Sequence, residues 1–463
     1  MATPDFSELA LKQTLASNLE SIGYTRMTPI QALSLGPILD GQDVIGQAMT
    51  GSGKTAAFGL GLLQALTVKR FRIQSLVLCP TRELADQVAK EIRRLGRAIH
   101  NIKVLTLCGG VPFGPQKGSL EHGAHIIVGT PGRIEEHLRK GNLRVNEISM
   151  LVLDEADRML DMGFTEVIEQ IVGKLPTERQ TLLFSATFPE DIESLAMRVT
   201  NNPSRVTADE QHDAGSIRQL VYEIPSKDAR LTMLIDVLLF HQPVSTLVFC
   251  NTRQMTEEVA SGLISRGFAA MALHGEFAQK DRDSRLLRFA NGSTSVLVAT
   301  DVASRGLDIE SLDLVVNYHL PRDPEVYTHR IGRTGRAGSQ GIACSLCLPQ
   351  DRHRVEQLTD LTAQTIEHME RPVGMDRRQP LDPQWVTLQI DGGRKQKIRP
   401  GDLLGALTRE GGIEGDQVGR INILDLTAYV AVDRSVSRTA LNVLQKNKIK
   451  GRSFKTRRVN NTA

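Results

Sequence analysis

Aromatic residues are scarce in this chain, 4% of 463 residues with a single tryptophan. Its cores must therefore rest on Leu, Val, Ile and Ala. No apolar run approaches the roughly 18 residues that a membrane-crossing helix needs. The opening MATPDFSELALKQ has neither the basic start nor the apolar segment of an export signal. A soluble, non-exported, cytoplasmic protein is expected, with no membrane partner. Cysteine is sparse too: Cys79, Cys108, Cys250, Cys344 and Cys347 form no disulfide framework. Two of them make up CSLC, but that run lies in the apolar GIACSLCLP, which reads as a strand. Positions three apart on a strand point to opposite faces, and there is no second CxxC. Buried structural thiols in a reducing compartment are expected. Nor does either charge dominate: 56 Lys and Arg meet 53 Asp and Glu, a net of +3.

What is present is length, enough for two or three domains, and a globular balance of 40% hydrophobic to 24% charged residues. From about residue 40 to 350, short apolar runs end in polar turns and alternate with helical patterns. SLVLCP, HIIVGTP, MLVLDEAD and TLLFSAT form one series; TLVFCNT, AMALHG, SVLVATD and LVVNYHLP form another. Runs this apolar suit strands buried on both faces, and the alternation implies two parallel-sheet α/β domains. They join near residues 207–219. The Pro-punctuated stretch 366–383 reads as a linker. After it, WVTLQID, PGDLLGALTRE, VGRINILD, AYVAVD, SVSRTALNVLQKN and SFKTRRV follow in the order βαββαβ.

The chemistry starts at AMTGSGKT, residues 48–55, between an apolar strand and a helix, the setting a phosphate-binding loop requires. Gly51 and Gly53 let backbone N–H groups turn toward phosphate, and the helix N-terminus adds positive potential. Ala48, Met49, Thr50, Gly51, Ser52 and Gly53 form the loop, although Ala48 replaces the first glycine of the general pattern. Lys54 would reach the β and γ phosphates of ATP, and Thr55 would ligate Mg²⁺. In LVLDEAD, Asp154 and Glu155 end a strand. Asp154 would hold the metal through water, and Glu155 would polarise the attacking water.

In this order the motifs resemble those of the DEAD-box RNA helicases over about residues 1–350. GYTRMTPIQ is similar to the family's adenine-reading segment, which implies that Gln31 reads the base edge while Tyr24 and Phe6 pack on it. PTRELADQ, GG and TPGR resemble first-lobe elements that hold an RNA backbone, through Pro80, Thr81, Arg82, Gly110, Thr130, Pro131, Gly132 and Arg133. SAT (185–187) resembles the element linking ATP state to strand separation. In the second series, ATDVASRGLD implies RNA contacts at Thr300 and Arg305 and a ribose contact at Asp308. HRIGRTGR carries Arg330, Arg333 and Arg336, of which Arg333 and Arg336 become candidate arginine fingers.

The resemblance implies two tandem RecA-like lobes, residues 1–206 and 217–365, and an RRM-like domain at 384–463. That last domain is similar to one in a bacterial branch of the family, where it recognises a hairpin of large-subunit ribosomal RNA. Residues 384–463 carry 15 Lys and Arg against 7 Asp and Glu, a net of +8, which leaves −5 for the rest. Such a footprint suits RNA. Specificity is expected from GRKQK, with Arg394, Lys395 and Lys397, from the domain's second helix and from the basic run that starts at Lys446. Lys446, Lys448, Lys450, Arg452, Lys455, Arg457 and Arg458 would mainly contact phosphates. An ordinary RRM stacks bases on aromatics of its central strands, yet here only Tyr429 is available, and it could equally be packing. Trp385 reads as a core anchor. The expected protein is a monomeric RNA-dependent ATPase that remodels ribosomal RNA or its precursor particles. An ATP-gated RNA clamp is the alternative, and a DNA-tracking helicase is disfavoured by Gln31 and SAT.

Overall fold

The computed structural model describes residues 4–49, 51–208, 217–301, 312–335, 340–362, 365–409 and 412–459. Two compact units emerge. The first is essentially residues 1–211, and the second comprises most of 212–463.

The first unit is built on a parallel sheet of β1 (Val44–Gln47), β2 (Ser75–Leu78), β3 (Val104–Leu107), β4 (Ile126–Gly129), β5 (Met150–Asp154), β6 (Gln180–Ser185) and β7 (Ser204–Thr207). Its order is β3-β4-β2-β5-β6-β1-β7. The inner strands are largely apolar because both faces are covered. Val77 and Val152 enter the core on one face, while Leu76, Leu78, Leu151 and Leu153 enter the core on the other. That is the period-2 alternation of a strand buried twice.

The second unit repeats this plan with β8 (Ile217–Glu223), β9 (Thr246–Phe249), β10 (Ala270–Leu273), β11 (Val296–Ala299), β12 (Leu314–Asn317), β13 (Gly341–Cys347) and β14 (Ile366–Met369). They order as β10-β11-β9-β12-β13-β8-β14, again all parallel. Cys344 and Cys347 of β13 enter cores on opposite faces, and all five cysteines are free and buried. Residues 366–369, the start of the stretch expected to be linker, form the edge strand β14 instead. The rest of that stretch is strapped to the lobe. Arg371 pairs with the buried Asp236 at 2.7 Å, and Met375 joins the lobe's core.

The same unit carries the antiparallel sheet of β15 (Trp385–Ile390), β16 (Val418–Ile423), β17 (Ala428–Asp433) and β18 (Thr456–Arg458), ordered β16-β17-β15-β18. Helices Pro400–Thr408 and Ser437–Lys446 cover one face, giving the βαββαβ succession. Among the described residues, no helix is long and apolar enough to cross a membrane.

Candidate nucleotide and RNA-binding sites

In the first sheet β1, β6 and β5 are neighbours, so the loops at their carboxyl ends converge. The Ala48 amide donates to the Ser185 carbonyl at 3.0 Å, tying the loop after β1 to the one after β6. Gly51 and Gly53 both sit at φ 96°, where an L side chain is strained. At Gly53 there is also no space: a Cβ would strike the Gln31 side chain. Gln31 Nε2 donates to the Gly53 carbonyl at 3.1 Å, and its Oε1 accepts from the Thr28 amide at 2.8 Å. The candidate adenine reader is thus fastened to the phosphate loop by the residue that opens the next helix. Lys54 is buried, and its Nζ donates to the Ala48 carbonyl at 2.5 Å. Thr55 stands in the same helical turn, half-buried, beside Ser52. Met49 is at the loop's described edge, and Thr50 lies outside the described residues. Phe6 is buried with its ring edge-on to Tyr24, 5.8 Å between centroids. Tyr24 donates its hydroxyl to Glu91 at 2.9 Å, so both rings are preset by protein contacts.

Asp154 ends β5 in the interior, 2% exposed. Burial raises its pKa to about 7 against the opposing pull of Lys54, and Glu155 adds to the rise. Among the described residues its Oδ1 has no hydrogen-bond partner. A buried oxygen without a donor suits a cation or its water shell, and Mg²⁺ therefore fits this corner. Glu155 follows at φ 53°, ψ 55°, a left-handed conformation that costs a non-glycine residue about 1–3 kcal/mol and clusters at functional sites. Its Oε2 lies 3.4 Å from Arg158 Nε. Asp157, which the motif reading left without a role, is the hinge of this corner. Its Oδ2 accepts from the amides of Ala186 and Thr187, each at 3.2 Å, and from Thr187 Oγ1 at 3.3 Å. The Asp157 amide in turn donates to Ser185 Oγ at 3.2 Å. DEAD and SAT are one hydrogen-bonded object.

The other half of the sheet, β2, β4 and β3, presents its own carboxyl-end loops. Thr81 caps the helix after β2 through the Leu84 amide, with Pro80 before it and Arg82 3.9 Å from Asp86. Thr130 accepts from the Gly109 amide at 3.4 Å, which brings Gly110, at φ 72°, beside the Pro131–Gly132 helix start. Arg133 donates to the Val111 carbonyl at 3.0 Å and pairs with Glu136 at 3.1 Å. The eight first-lobe RNA candidates thus share one rim.

In the second sheet, Thr300 follows β11 half-buried, its amide on the Leu273 carbonyl. Arg305, Asp308 and Arg336 lie outside the described residues. Arg330 is buried among polar partners. It grips Asp301 through Nε and Nη2, and its Nη1 donates to Asn317 Oδ1 at 3.0 Å and the His319 carbonyl at 2.8 Å. His319 beside it is held down to about 4 by burial and by Arg230 and Arg330. Arg333 is also buried, its carbonyl accepting from the Leu312 amide.

The terminal domain sorts its charges by face. Arg394, Lys395, Lys397, Lys446, Lys448, Lys450, Arg452 and Lys455 are all exposed. Lys450 Nζ donates to the Lys397 carbonyl at 2.9 Å and lies 3.0 Å from Asp402, so the turn after β15 and the 448–452 loop form a continuous basic edge. Arg457 instead spans the Asp391 carboxylate at 3.1 and 2.8 Å. Arg458 lines a cleft beside Trp385 and Ser293 of the second lobe. The sheet face that an RRM offers to bases is covered: Thr387, Gln389, Tyr429 and Ala431 are all buried. Tyr429 is packing.

Three family models match the chain: DEAD/DEAH box helicase at 28–195, helicase conserved C-terminal domain at 229–338, and DbpA RNA binding domain at 387–458. The ATP-dependent RNA helicase DbpA of Escherichia coli is 51% identical over 441 residues, 95% of this chain and 96% of the relative. The chain belongs to the DEAD-box ATP-dependent RNA helicases. It is of the DbpA type, an enzyme that binds RNA and hydrolyses ATP. DbpA of Bacillus subtilis is 35% identical over 98% of the chain and 99% of its own length. Among solved structures, S. cerevisiae Dbp5 bound to RNA and ADP BeF3 matches with a TM-score of 0.72 at 29% identity. That match covers 79% of this chain and 96% of Dbp5. The matched DEAD/DEAH box helicase segment spans both halves of the first sheet's rim.

Proposed function

We propose that this helicase locally unwinds or remodels large-subunit ribosomal RNA during ribosome assembly, as a cytoplasmic monomer. The observation that carries this reading is the continuous basic edge of the terminal domain, within the segment matched by the DbpA RNA binding domain. Charge supplies affinity for any RNA, so the choice among RNAs rests on the shape of that edge and on base contacts by Arg394, Lys395 and Lys397.

In this reading ATP enters over the loop 48–55, with its adenine at Gln31, Tyr24 and Phe6 and its ribose at Asp308. Lys54 and the loop amides hold the phosphates. Mg²⁺ bound near Thr55 and Asp154 would neutralise phosphate charge. Glu155 orients the attacking water, and Arg333 and Arg336 stabilise the charge that develops on the γ-phosphate. Arg333 must turn outward from its buried position to do so. The rim from Pro80 to Arg133, with Thr300 and Arg305, holds RNA backbone without reading sequence. Asp157 passes the state of the hydrolytic corner to Ser185–Thr187 through its four hydrogen bonds. Crosslinking of the protein to RNA in cells, followed by sequencing, tests the reading: reads should concentrate on one region of large-subunit ribosomal RNA. An even spread over unrelated transcripts would reject it.

A further inference from the structure

The motifs of the first lobe lie at the carboxyl ends of its strands. At the amino ends, on the opposite side of the sheet, there is a separate cleft of about 530 Å³. It opens between the segment before β2, the helix Phe113–Glu121 and the turn before β5. Phe71 stands on its wall, 43% exposed, in a chain poor in aromatics. The ring does not hang free. It packs over Gly123, where a φ of 73° and a would-be Cβ 2.5 Å from Phe71 Cε1 admit no side chain. It also meets the His125 ring edge-on at 4.8 Å. Two buried polar side chains fix the turn that presents it. Gln74 accepts from the Thr67 amide at 3.0 Å and donates to the carbonyls of Thr67 at 3.0 Å and Arg70 at 2.7 Å. His125 accepts from the Lys103 amide through Nδ1 at 3.0 Å, which leaves Nε2 to donate to the Val68 carbonyl at 3.0 Å. A ring preset in this way loses little freedom on meeting a ligand.

Charge collects around it. Lys69, Arg70 and Arg72 flank the ring in sequence, and Lys117 and Arg144 line the cleft. Against them stand Glu121 and Glu147, which leaves a local +3 on a motor whose residues 1–383 total −5. Glu147 gathers Arg70 at 2.7 Å and Arg72 at 3.6 Å. Lys117 and Arg144 are exposed, with no carboxylate partner among the described residues. Asn142 and Asn146 add amide groups to the same wall. A ring to stack on, cations for phosphate and amides for a base edge are the chemistry that takes an unpaired nucleotide. We propose that this cleft is a second RNA-binding site, holding one unpaired nucleotide and its flanking phosphates. An acidic peptide would satisfy the cations but leave the ring without a planar partner. All these residues belong to the first compact unit, so the site neither forms nor breaks as the lobes close and part. RNA held there stays on the protein when the rim lets go of its strand.

The test is photo-crosslinking of the unaltered full chain to iodouridine-substituted poly(U), with and without a non-hydrolysable ATP analogue. A crosslink to Phe71 is expected, of the same yield in both conditions. The double variant Lys117→Glu with Arg144→Glu should abolish it. In direct binding at fixed salt, Phe71→Leu should raise the Kd for poly(U) roughly tenfold, the loss of one stacked base, while Phe71→Tyr should match the parent. Absence of any crosslink within residues 69–74 would overturn the proposal. So would a crosslink formed only with the ATP analogue, which would belong to the rim, or an unchanged Kd in Phe71→Leu. Two competitors decide the class of ligand. Unlabelled poly(U) should displace the crosslink, whereas polyglutamate and UMP at equal charge concentration should not. Displacement by polyglutamate as effective as that by poly(U) would give the cleft to an acidic protein, and the same result with UMP would give it to a free nucleotide. Either would reject RNA as the occupant.

Discussion

Arg330 grips Asp301 through two parallel hydrogen bonds of 2.7 Å each. Three residues further on, in the same turn, Arg333 is the candidate arginine finger. Arg330→Ala leaves the part-buried Asp301 and the buried Asn317 without their shared donor, and an unsatisfied polar partner costs about 1–3 kcal/mol. Thermal or urea unfolding should register that loss. Arg333→Ala should lower RNA-stimulated turnover by a factor of about 10³, with RNA affinity unchanged. Equal turnover in Arg333→Ala and the parent would move the finger elsewhere.

Glu155→Gln keeps the shape of the corner and removes the proposed base. ATP and RNA should still bind together, while single-turnover hydrolysis falls by at least about 10². Lys54→Ala should do the reverse, weakening nucleotide binding itself. Parent-like hydrolysis by Glu155→Gln would refute its role.

If Asp154 holds the cation, nucleotide binding should depend on protons. Burial holds its carboxyl up at about 7 in the free protein, whereas a bound cation needs the carboxylate. Binding of Mg²⁺–ATP should release close to one proton at pH 6 and close to none at pH 8, read as buffer-dependent heats in calorimetry. The sign for stability follows too. The folded state holds this proton more tightly than the unfolded chain, so stability from this group is present at low pH and falls as pH rises from about 4 to 7. Asp154→Asn should flatten both profiles.

Removing the terminal domain tests what it adds to the motor. A chain ending at Asp382 should keep some RNA-stimulated ATPase but lose its preference for ribosomal fragments over unrelated hairpins. The full chain should bind such fragments with a steep salt dependence, several phosphates being neutralised. Competition at fixed salt decides it: the same preference in both chains would remove the address from residues 384–463.

Much of this architecture is legible in the sequence because strands buried on both faces have few polar positions to disguise them. SLVL, IIVG, TLVF and VLVA announce themselves. VLTL, SRVT and IEHM do not, since β3, β7 and β14 are sheet edges and can carry Thr, Arg or His at no cost. The phosphate loop and DEAD are local patterns and stand out for the same reason. Partnerships across the chain are not local. Nothing in HRIGRTGR tells which arginine turns inward, because Asp301 and Asn317 come from the ends of two other strands. Asp157 looks like the tail of a motif until β6 brings Thr187 to it. Tyr429 is ambiguous on β17 until the second lobe covers it.

The five thiols give the native chain an internal clock. Cys79 and Cys108 lie in the first lobe, and Cys250, Cys344 and Cys347 in the second; residues 384–463 have none. Burial pushes Cys108 and Cys250 up to about 12 and Cys347 to about 11, so almost no thiolate meets the solvent while the lobes are closed. An alkylating reagent added to the folded protein therefore marks each lobe only when that lobe opens. Mapping the labelled peptides over time would give two separate opening rates from a single unmodified protein, against a terminal domain that stays silent.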